Sequence, residues 1–243
     1  FFYLPIVYVV LFSFNSTKSL SKFTGFSLQW YEKMFASRTM LESIYYTVVV
    51  AVLATIISTV VGTIASIGLS KSRKVIKEVV TQVNNLPMLN PDIVTAIGLM
   101  LFFSTLNIPA GFGTLLLAHI IFCIPYVMLS IMPKLRQLDS NIIEAAMDLG
   151  CTPLQSFYKV TIHEIMPGIV AGFIMAFTMS LDDFVISYFV TGLDFVTLPV
   201  EIYSYTKKPI PPKIYAMFTL LFLLIFALMV TMNLLQLRTD KKK

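Results

Sequence analysis

Long apolar stretches without charge alternate with short polar segments along this chain. About 20 consecutive apolar residues are enough for an α-helix to cross the hydrocarbon core of a bilayer. Because an open sheet would leave unpaired backbone groups in lipid, the pattern favours helices over strands. We therefore predict an all-α membrane protein with six transmembrane helices, at about residues 1–14, 44–69, 79–106, 113–133, 165–190 and 214–237.

Two of the predicted spans contain residues that disturb an apolar helix. Pro87, Pro91 and Asp92 interrupt the third span, and Asp182 and Asp183 interrupt the fifth. Proline lacks a backbone donor and clashes with the preceding turn, so we expect the third helix to break. We place Asp182 and Asp183 on a continuous fifth helix, where adjacent residues point about 100° apart.

The composition supports a membrane protein. The chain is 57% hydrophobic and 13% charged, about half the charged fraction of a soluble domain. We interpret residues 1–243 as a single transmembrane domain, and we expect the first apolar run to be a span that begins outside this sequence. The cysteines, Cys123 and Cys151, are expected to be free thiols, because one lies in an apolar run and the other in a polar loop.

The basic residues predict an orientation. Eleven of the 18 Lys and Arg residues fall in one set of loops and termini, and seven fall in the other. Loops rich in Lys and Arg stay in the cytoplasm, so we assign the richer set to that side. Both termini of this multi-pass protein of the cell (inner) membrane then lie in the cytoplasm, together with residues 134–164 between the fourth and fifth helices.

The cytoplasmic loop is predicted to contain two short helices. Asn141 is a candidate N-cap with Glu144 three residues on, and Gly150 is placed to end the helix in a left-handed conformation. Thr152 and Pro153 suit the start of a second helix. The apolar side of the first helix packs against the protein's own spans or the lipid interface, or else docks in a groove of a cytoplasmic partner.

The spacing in this loop resembles a known motif. The sequence has Glu144-Ala145-Ala146, then Gly150 after three residues, and then Val160 and Ile162. This is similar to the cytoplasmic loop of permease subunits of binding-protein-dependent ABC importers, which have Pro where this chain has His163. The resemblance implies that Glu144, Ala145, Ala146, Leu149 and Gly150 form a coupling helix that docks on an ATPase subunit.

Three carboxylates inside the spans are the candidates for a transport pathway, because ionisable residues in a membrane are costly. They are Asp92, Asp182 and Asp183, and neighbouring Phe184 and Tyr188 offer aromatic faces. Carboxylates and aromatic faces together favour a cation. The alternative for Asp92 is a first-turn acid after Asn90 and Pro91. The alternative for the pair is a buried hydrogen-bond network or an ion pair with a partner subunit.

Further stretches narrow the resemblance within the family. Residues 90–94, 177–192 and 198–204 are similar to the permeases of spermidine/putrescine importers. This resemblance implies a polyamine substrate, a second homologous permease subunit, an ATPase dimer and an extracytoplasmic polyamine-binding protein. We expect transport by alternating access, and the outer residues 31–38 and 196–213 are the candidates for docking of the binding protein.

Several other functions are disfavoured by the sequence. The chain has no G-x-x-x-x-G-K-[ST] loop, so we expect a transport subunit rather than an enzyme, with ATP and Mg bound by the partner ATPase. The two histidines, His119 and His163, are interpreted as structural or interfacial rather than as metal ligands. Two alternatives stay open: an ABC permease for another solute, and an ion-coupled secondary transporter in which the three aspartates carry protons.

Overall fold

The computed structural model describes residues 1, 3–19, 21–207 and 210–240, and these residues are mainly helical. An isolated bridge between Asn15 and Phe26 is the β-pairing found among them. The helices are α1 (Leu4–Ser13), α2 (Gln29–Phe35), α3 (Arg38–Ser70), α4 (Lys74–Leu89), α5 (Asp92–Thr105), α6 (Phe112–Gln137), α7 (Ser140–Asp148), α8 (Pro153–Ser156), α9 (Ile162–Leu181), α10 (Val185–Val190), α11 (Leu198–Ser204) and α12 (Pro212–Asp240).

Among the described residues, three helices are long and apolar enough to cross a bilayer: α3, α6 and a continuous helix from Pro153 to Leu181. The last of these joins α8, a π-helical turn (Phe157–Thr161) and α9. Together α4 and α5 form a fourth candidate, although they are bent by 107°. Two further apolar helices, α1 and the segment 212–227 of α12, are shorter. The all-helical membrane fold is confirmed, and the number of six spans stays a prediction.

The helix boundaries differ from the predicted spans at three places. The third span is two helices that break at Asn90–Pro91, whereas Pro87 lies inside α4 without ending it. Helix α6 continues to Gln137, and the long helix that leads into the fifth span already begins at Pro153. The segment between these two helices is therefore shorter than the predicted loop of residues 134–164. The fifth span is not continuous, because α9 ends at Leu181 and α10 begins at Val185.

The chain divides into two compact units. The first, Phe1–Glu42 with Glu201–Lys243, has α12 packed against α1 and α2. Buried Trp30 of α2 donates from its indole N–H to the carbonyl oxygen of Asn15 at 2.6 Å. The Asn15 side chain in turn donates to the carbonyl oxygens of Ser19 and Lys22, both at 2.9 Å, and thereby closes the loop after α1.

The second unit, Ser43–Val200, is built around α6. Its core includes Phe103 of α5, Leu115, Phe122 and Val127 of α6, and Ile186 of α10. Helices α6 and α9 pack closely, since a Cβ added at Gly172 would lie only 3.2 Å from the Val127 Cα atom. Small residues at such contacts let membrane helices approach each other. The prediction of one domain over residues 1–243 stays a prediction.

Candidate functional site

The fifth span is broken at the two adjacent aspartates. Asp182 is the C-cap residue of α9, and its N–H donates to the carbonyl oxygen of Thr178 at 3.3 Å. Its side chain is exposed, whereas the side chain of Asp183 is only 7% exposed. The prediction that both residues lie on one continuous helix is wrong. The break, rather than a helical angle of 100°, turns the two carboxylates to different surroundings.

Asp183 has its hydrogen-bond partners inside the chain. Its Oδ2 accepts from the backbone N–H of Ser187 at 2.8 Å and from the Ser187 hydroxyl at 3.0 Å. Its Oδ1 accepts from the N–H of Ile186 at 3.3 Å. These donors belong to the first turn of α10, whose N–H groups have no partner within the helix. The carboxylate therefore stabilises the start of α10, in agreement with the hydrogen-bond alternative for this residue.

A buried histidine of α6 completes the network. His119 is 1% exposed, and its Nδ1 lies 2.7 Å from the Ser180 hydroxyl oxygen. Its Nε2 lies 3.2 Å from the Ser187 hydroxyl oxygen and 3.4 Å from Oδ2 of Asp183. The imidazole thus contacts the end of α9, the break and the start of α10. We name His119, Ser180, Asp183 and Ser187 the His119 network.

The sequence interpretation assigned His119 a structural or interfacial role, and its burial fits a structural one. The sequence interpretation did not connect His119 with Ser180, Asp183 and Ser187. A signal was present, because polar residues inside apolar spans need partners and tend to find one another. His119 lies 61 residues from Ser180 along the chain, however, so the pairing depends on how α6 packs against α9.

An aromatic pair follows the exposed carboxylate along the chain. The rings of Phe184 and Tyr188 have centroids 5.6 Å apart with their planes tilted by 43°. Tyr188 also makes an edge contact with Phe189 at 5.4 Å. Tyr188 is 53% exposed, so part of its ring remains accessible beside the break that carries Asp182. An exposed carboxylate with an accessible aromatic face is an arrangement that suits a cation.

The third predicted carboxylate, Asp92, lies at the other helix break. It is an exposed residue at the first position of α5, immediately after Pro91, which is the N-cap of that helix. An acid in the first turn is favoured by the helix dipole, as the alternative interpretation holds. The Asp92 break therefore carries an exposed first-turn acid, whereas the Asp183 break is held by His119 of α6.

The described residues contain no group of three or more His, Cys, Asp or Glu side chains placed to hold a metal ion. Cys123 and Cys151 are free thiols. The second histidine, His163, is exposed on α9.

Helix α7 carries the predicted docking residues. Its N-cap is Asp139, whose Oδ1 accepts from the N–H of Asn141 at 2.9 Å, so the prediction of Asn141 as the cap is wrong. Gly150 follows the helix with φ +90°, the left-handed conformation expected of it. The N–H of Cys151 donates back to the carbonyl oxygen of Ala146 at 3.1 Å and closes the turn.

The side chains of α7 divide into two sets. Ile143 and Ala146 are half-buried, and the Ser156 hydroxyl donates to the Ile143 carbonyl oxygen at 3.5 Å. Glu144, Ala145 and Leu149 are exposed, and Leu149 is 87% exposed. The apolar surface available to a partner is therefore formed by Ile142, Met147 and Leu149 more than by Ile143 and Ala146.

The chain that leaves the loop is helical through His163, the position at which related permeases have proline. Thr152 caps α8 as predicted, accepting from the N–H of Gln155 at 3.3 Å. The π-helical turn follows, and the N–H of Ile162 reaches the carbonyl oxygen of Phe157. His163 then lies within α9, which continues past Pro167. With histidine at this position the backbone N–H is present, and the helix is not interrupted.

Two solved structures share the fold of this chain. A bacterial ABC transporter involved in the import of the acidic polysaccharide alginate superposes with a TM-score of 0.71, covering 96% of this chain and 89% of that chain at 13% identity. An amino acid ABC transporter with histidines gives a TM-score of 0.60 over 84% of this chain and 96% of that chain, at 21% identity. These likenesses concern the fold alone.

Sequence comparison gives closer relatives. The chain is 36% identical to the spermidine/putrescine transport system permease protein PotC of Haemophilus influenzae, over 97% of this chain and 91% of the relative. It is 33% identical to PotC of Escherichia coli over 100% of this chain and 91% of the relative. The putrescine transport system permease protein PotI of Escherichia coli is 36% identical over 91% of this chain and 81% of the relative.

A family model also matches most of the chain, at residues 58–242. The matched region includes α7, Gly150 and both helix breaks with their carboxylates. Membership of this family makes the chain a multi-pass transport component that works with an ATPase and a binding protein, and not an enzyme. The chain belongs to the binding-protein-dependent transport system inner membrane components, the permease subunits of ABC importers.

Proposed function

We propose that this chain is the translocation subunit of an ATP-driven importer of the polyamines spermidine and putrescine. The observation that carries the proposal is the exposed carboxylate of Asp182 at a helix break, which is followed in the chain by the short helix α10 with the accessible ring of Tyr188. It is supported by relatives whose names state spermidine/putrescine or putrescine transport.

The charge of the pathway fits a polyamine, which carries several ammonium groups. The fifth span, residues 165–190, has two carboxylates and no Lys or Arg. Because Asp183 is held by the His119 network, Asp182 is the residue of the pair that is available to an ammonium group. Asp92 supplies a second exposed carboxylate at the other break, and Phe184 and Tyr188 add cation–π contacts.

The coupling to ATP is assigned to α7. Its exposed residues Glu144, Ala145 and Leu149 form a short apolar and acidic surface that suits docking in a groove of an ATPase subunit. Ala146 supports the helix from its inner side, and Gly150 turns the chain back toward α8. ATP and Mg are held by the ATPase dimer, so the chemistry of hydrolysis lies outside this chain.

The remaining partners follow from the same assembly. A second homologous permease subunit completes the pathway, and a polyamine-binding protein docks on outer residues 31–38 and 196–213. Within the second segment, the hydroxyl of Tyr205 donates to the Glu201 carboxylate at 3.2 Å. Burial, followed by the nearby Glu201 carboxylate, raises the pKa of Tyr205. Both chain termini lie on the cytoplasmic side.

The transport cycle is alternating access. ATP closes the ATPase dimer, which moves the docked α7 and opens the spans outward to the loaded binding protein. The polyamine passes to Asp182 and the aromatic pair, and then continues inward after hydrolysis. Helix α7 follows the end of α6, and His119 of α6 holds Asp183, so a movement of α7 reaches the break in the fifth span through α6.

Two other functions are weighed against this one. A permease of the same fold for another solute is the nearer alternative, and the two ABC transporters of similar fold show that this architecture accepts unlike substrates. An anion importer would be expected to have basic rather than acidic residues at the breaks. An ion-coupled secondary transporter is disfavoured, because the family is dependent on a binding protein.

A solute panel tests the substrate class. The assembled importer is reconstituted in vesicles, and uptake of labelled spermidine is measured against excess putrescine, lysine, glutamate or an uronic acid oligosaccharide. We expect putrescine alone of these competitors to suppress uptake. Suppression by lysine or glutamate to the same extent would replace the polyamine assignment with an amino acid one.

A further inference from the structure

Helix α4 has its polar side toward the protein and its apolar side outward. Apart from Pro87, the half-buried positions are Lys77, Thr81, Asn84, Asn85 and Met88, which recur at helical spacing on one face. The opposite face is formed by Val75, Val79, Val83 and Leu86, all more than half exposed. This is the reverse of a helix on the surface of a soluble protein. It suits a helix whose outer side meets lipid and whose inner side lines a polar cavity.

Such a cavity lies between α4, α6 and the end of α3. Its volume is about 190 Å³, well above the share of about 30 Å³ that one water takes in the liquid. The polar part of its lining is Thr81, Asn84, Asn85 and Arg136. The apolar part includes Leu69, Met128 and Leu129. The lining therefore combines one cationic side chain and several hydrogen-bonding side chains with an apolar wall.

The positive charge of Arg136 in the lining disfavours a cation in this cavity and favours an anion. No carboxylate of the described residues lies within 4.0 Å of the Arg136 guanidinium. The Asn84 amide contacts Oδ1 of Asn85 only at 3.5 Å, the outer limit for a hydrogen bond, so amide donors are available to a ligand. Guanidinium and amide donors together match the oxygens of a phosphate group.

The mouth of the cavity indicates the source of that phosphate. Leu129, Pro133 and Arg136 are exposed on one side of α6, and the rise of seven residues that separates Leu129 from Arg136 is about 10 Å. The surface thus changes from apolar to cationic over the distance that separates upper acyl chain from headgroup in a bilayer leaflet. A free phosphate ion would use the cationic end but would leave the apolar wall without a partner.

We propose that this cavity binds the phosphodiester headgroup of an anionic membrane phospholipid. Arg136, Asn84 and Asn85 contact the headgroup, and Leu69, Met128 and Leu129 contact the upper part of an acyl chain. The bound lipid fills the space between α4 and α6 and holds α4 at the membrane surface, next to the 107° bend that precedes Asp92. The proposal does not depend on which solute is transported.

Retention of lipid by the purified importer tests the proposal. The complete complex is exchanged into mixed micelles of phosphatidylglycerol and phosphatidylcholine, and the bound lipids are extracted and quantified by mass spectrometry. We expect wild-type complex to retain phosphatidylglycerol selectively. Loss of a charge-assisted contact should make Arg136→Gln retain about tenfold less. Asn84→Leu should retain an intermediate amount.

Lys134→Gln is the matched control, because it removes the same charge two residues away. Lys134 does not line the cavity and instead packs near Gly168 of α9. Equal retention by Arg136→Gln and Lys134→Gln would overturn the proposal. So would displacement of the lipid by millimolar inorganic phosphate, which would assign the cavity to a soluble anion. Unchanged co-purification of the ATPase with both variants shows that the comparison is between folded complexes.

Discussion

The Nε2 atom of His119 lies 3.4 Å from the Oδ2 atom of Asp183, so a buried histidine of α6 holds the carboxylate at the break in the fifth span. Ser180 and Ser187 contact the same imidazole from either side of the break. Asp183 is consequently fixed by intramolecular partners, whereas the adjacent Asp182 is exposed. The different roles of these two neighbouring acids, one structural and one available to the solute, are the central feature of the proposed pathway.

Replacing the imidazole should destabilise the protein. His119→Ala leaves the buried Ser180 hydroxyl and the Asp183 carboxylate without one of their partners, at a cost of about 1–3 kcal/mol in the free energy of unfolding. Thermal unfolding of the purified complex measures this loss of stability. His163→Ala is the matched control: because His163 is exposed, this variant should unfold at the same temperature as wild type. Equal unfolding temperatures for the two variants would contradict the role of the His119 network.

The two aspartates should respond differently to the same substitution. Asp182→Asn removes an accessible charge and should raise the KM for spermidine about tenfold, the equivalent of one charge-assisted contact, without changing thermal stability. Asp183→Asn should lower thermal stability, because it weakens the bonds to Ser187 and His119.

Kinetic and unfolding measurements on both variants and on Asp182→Glu check this division. Asp182→Glu retains the charge and should recover part of the affinity. Wild-type uptake by Asp182→Asn would remove Asp182 from the pathway, and a stable Asp183→Asn variant would remove Asp183 from the network.

The turn after α7 should require glycine for its backbone conformation. A Cβ at Gly150 would meet no atom within 4 Å, so the strain of Gly150→Ala comes from φ +90° alone. We expect a cost of about 1–2 kcal/mol to the turn, and a larger loss for the β-branched Gly150→Val. Co-purification of the ATPase measures docking in these variants, and the ratio of ATP hydrolysis to transport measures coupling.

Gly113→Ala is the control for this turn, since its Cβ also meets nothing within 4 Å and its backbone is helical. It should bind the ATPase normally. If Gly150→Val and Gly113→Ala both couple hydrolysis to transport as wild type does, the docking role of the segment from Glu144 to Gly150 is refuted.

Gly192 should be the glycine least tolerant of alanine. Its φ is +83°, and an added Cβ would lie 2.6 Å from the carbonyl oxygen of Ala110. Backbone must therefore move in the turn that follows α10, and we expect Gly192→Ala to lower the unfolding temperature more than Gly113→Ala or Gly150→Ala. A ranking in which Gly192→Ala is the mildest of the three would contradict this packing.

Local patterns predicted much of this molecule because they depend on neighbouring residues. The apolar runs, the break near Pro91, the left-handed Gly150 and the Thr152 cap are all properties of a few consecutive positions. Asp139 rather than Asn141 caps α7, and because both residue types are competent caps the local pattern does not distinguish them.

The contacts around the candidate site could not be predicted from local sequence patterns. Asp182 and Asp183 look equivalent in sequence, and only the packing of α6 against α9 and α10 brings His119 to one of them. The inverted orientation of α4 depends likewise on its contact with α6. Chain-distant contacts of this kind have no signature within one segment.

The most direct test of the account is spermidine uptake by the reconstituted importer with its binding protein. The account predicts uptake that requires ATP at the α7 side, continues when a protonophore collapses the proton gradient, and needs a higher spermidine concentration in Asp182→Asn. Uptake that follows the proton gradient and ignores ATP would contradict it.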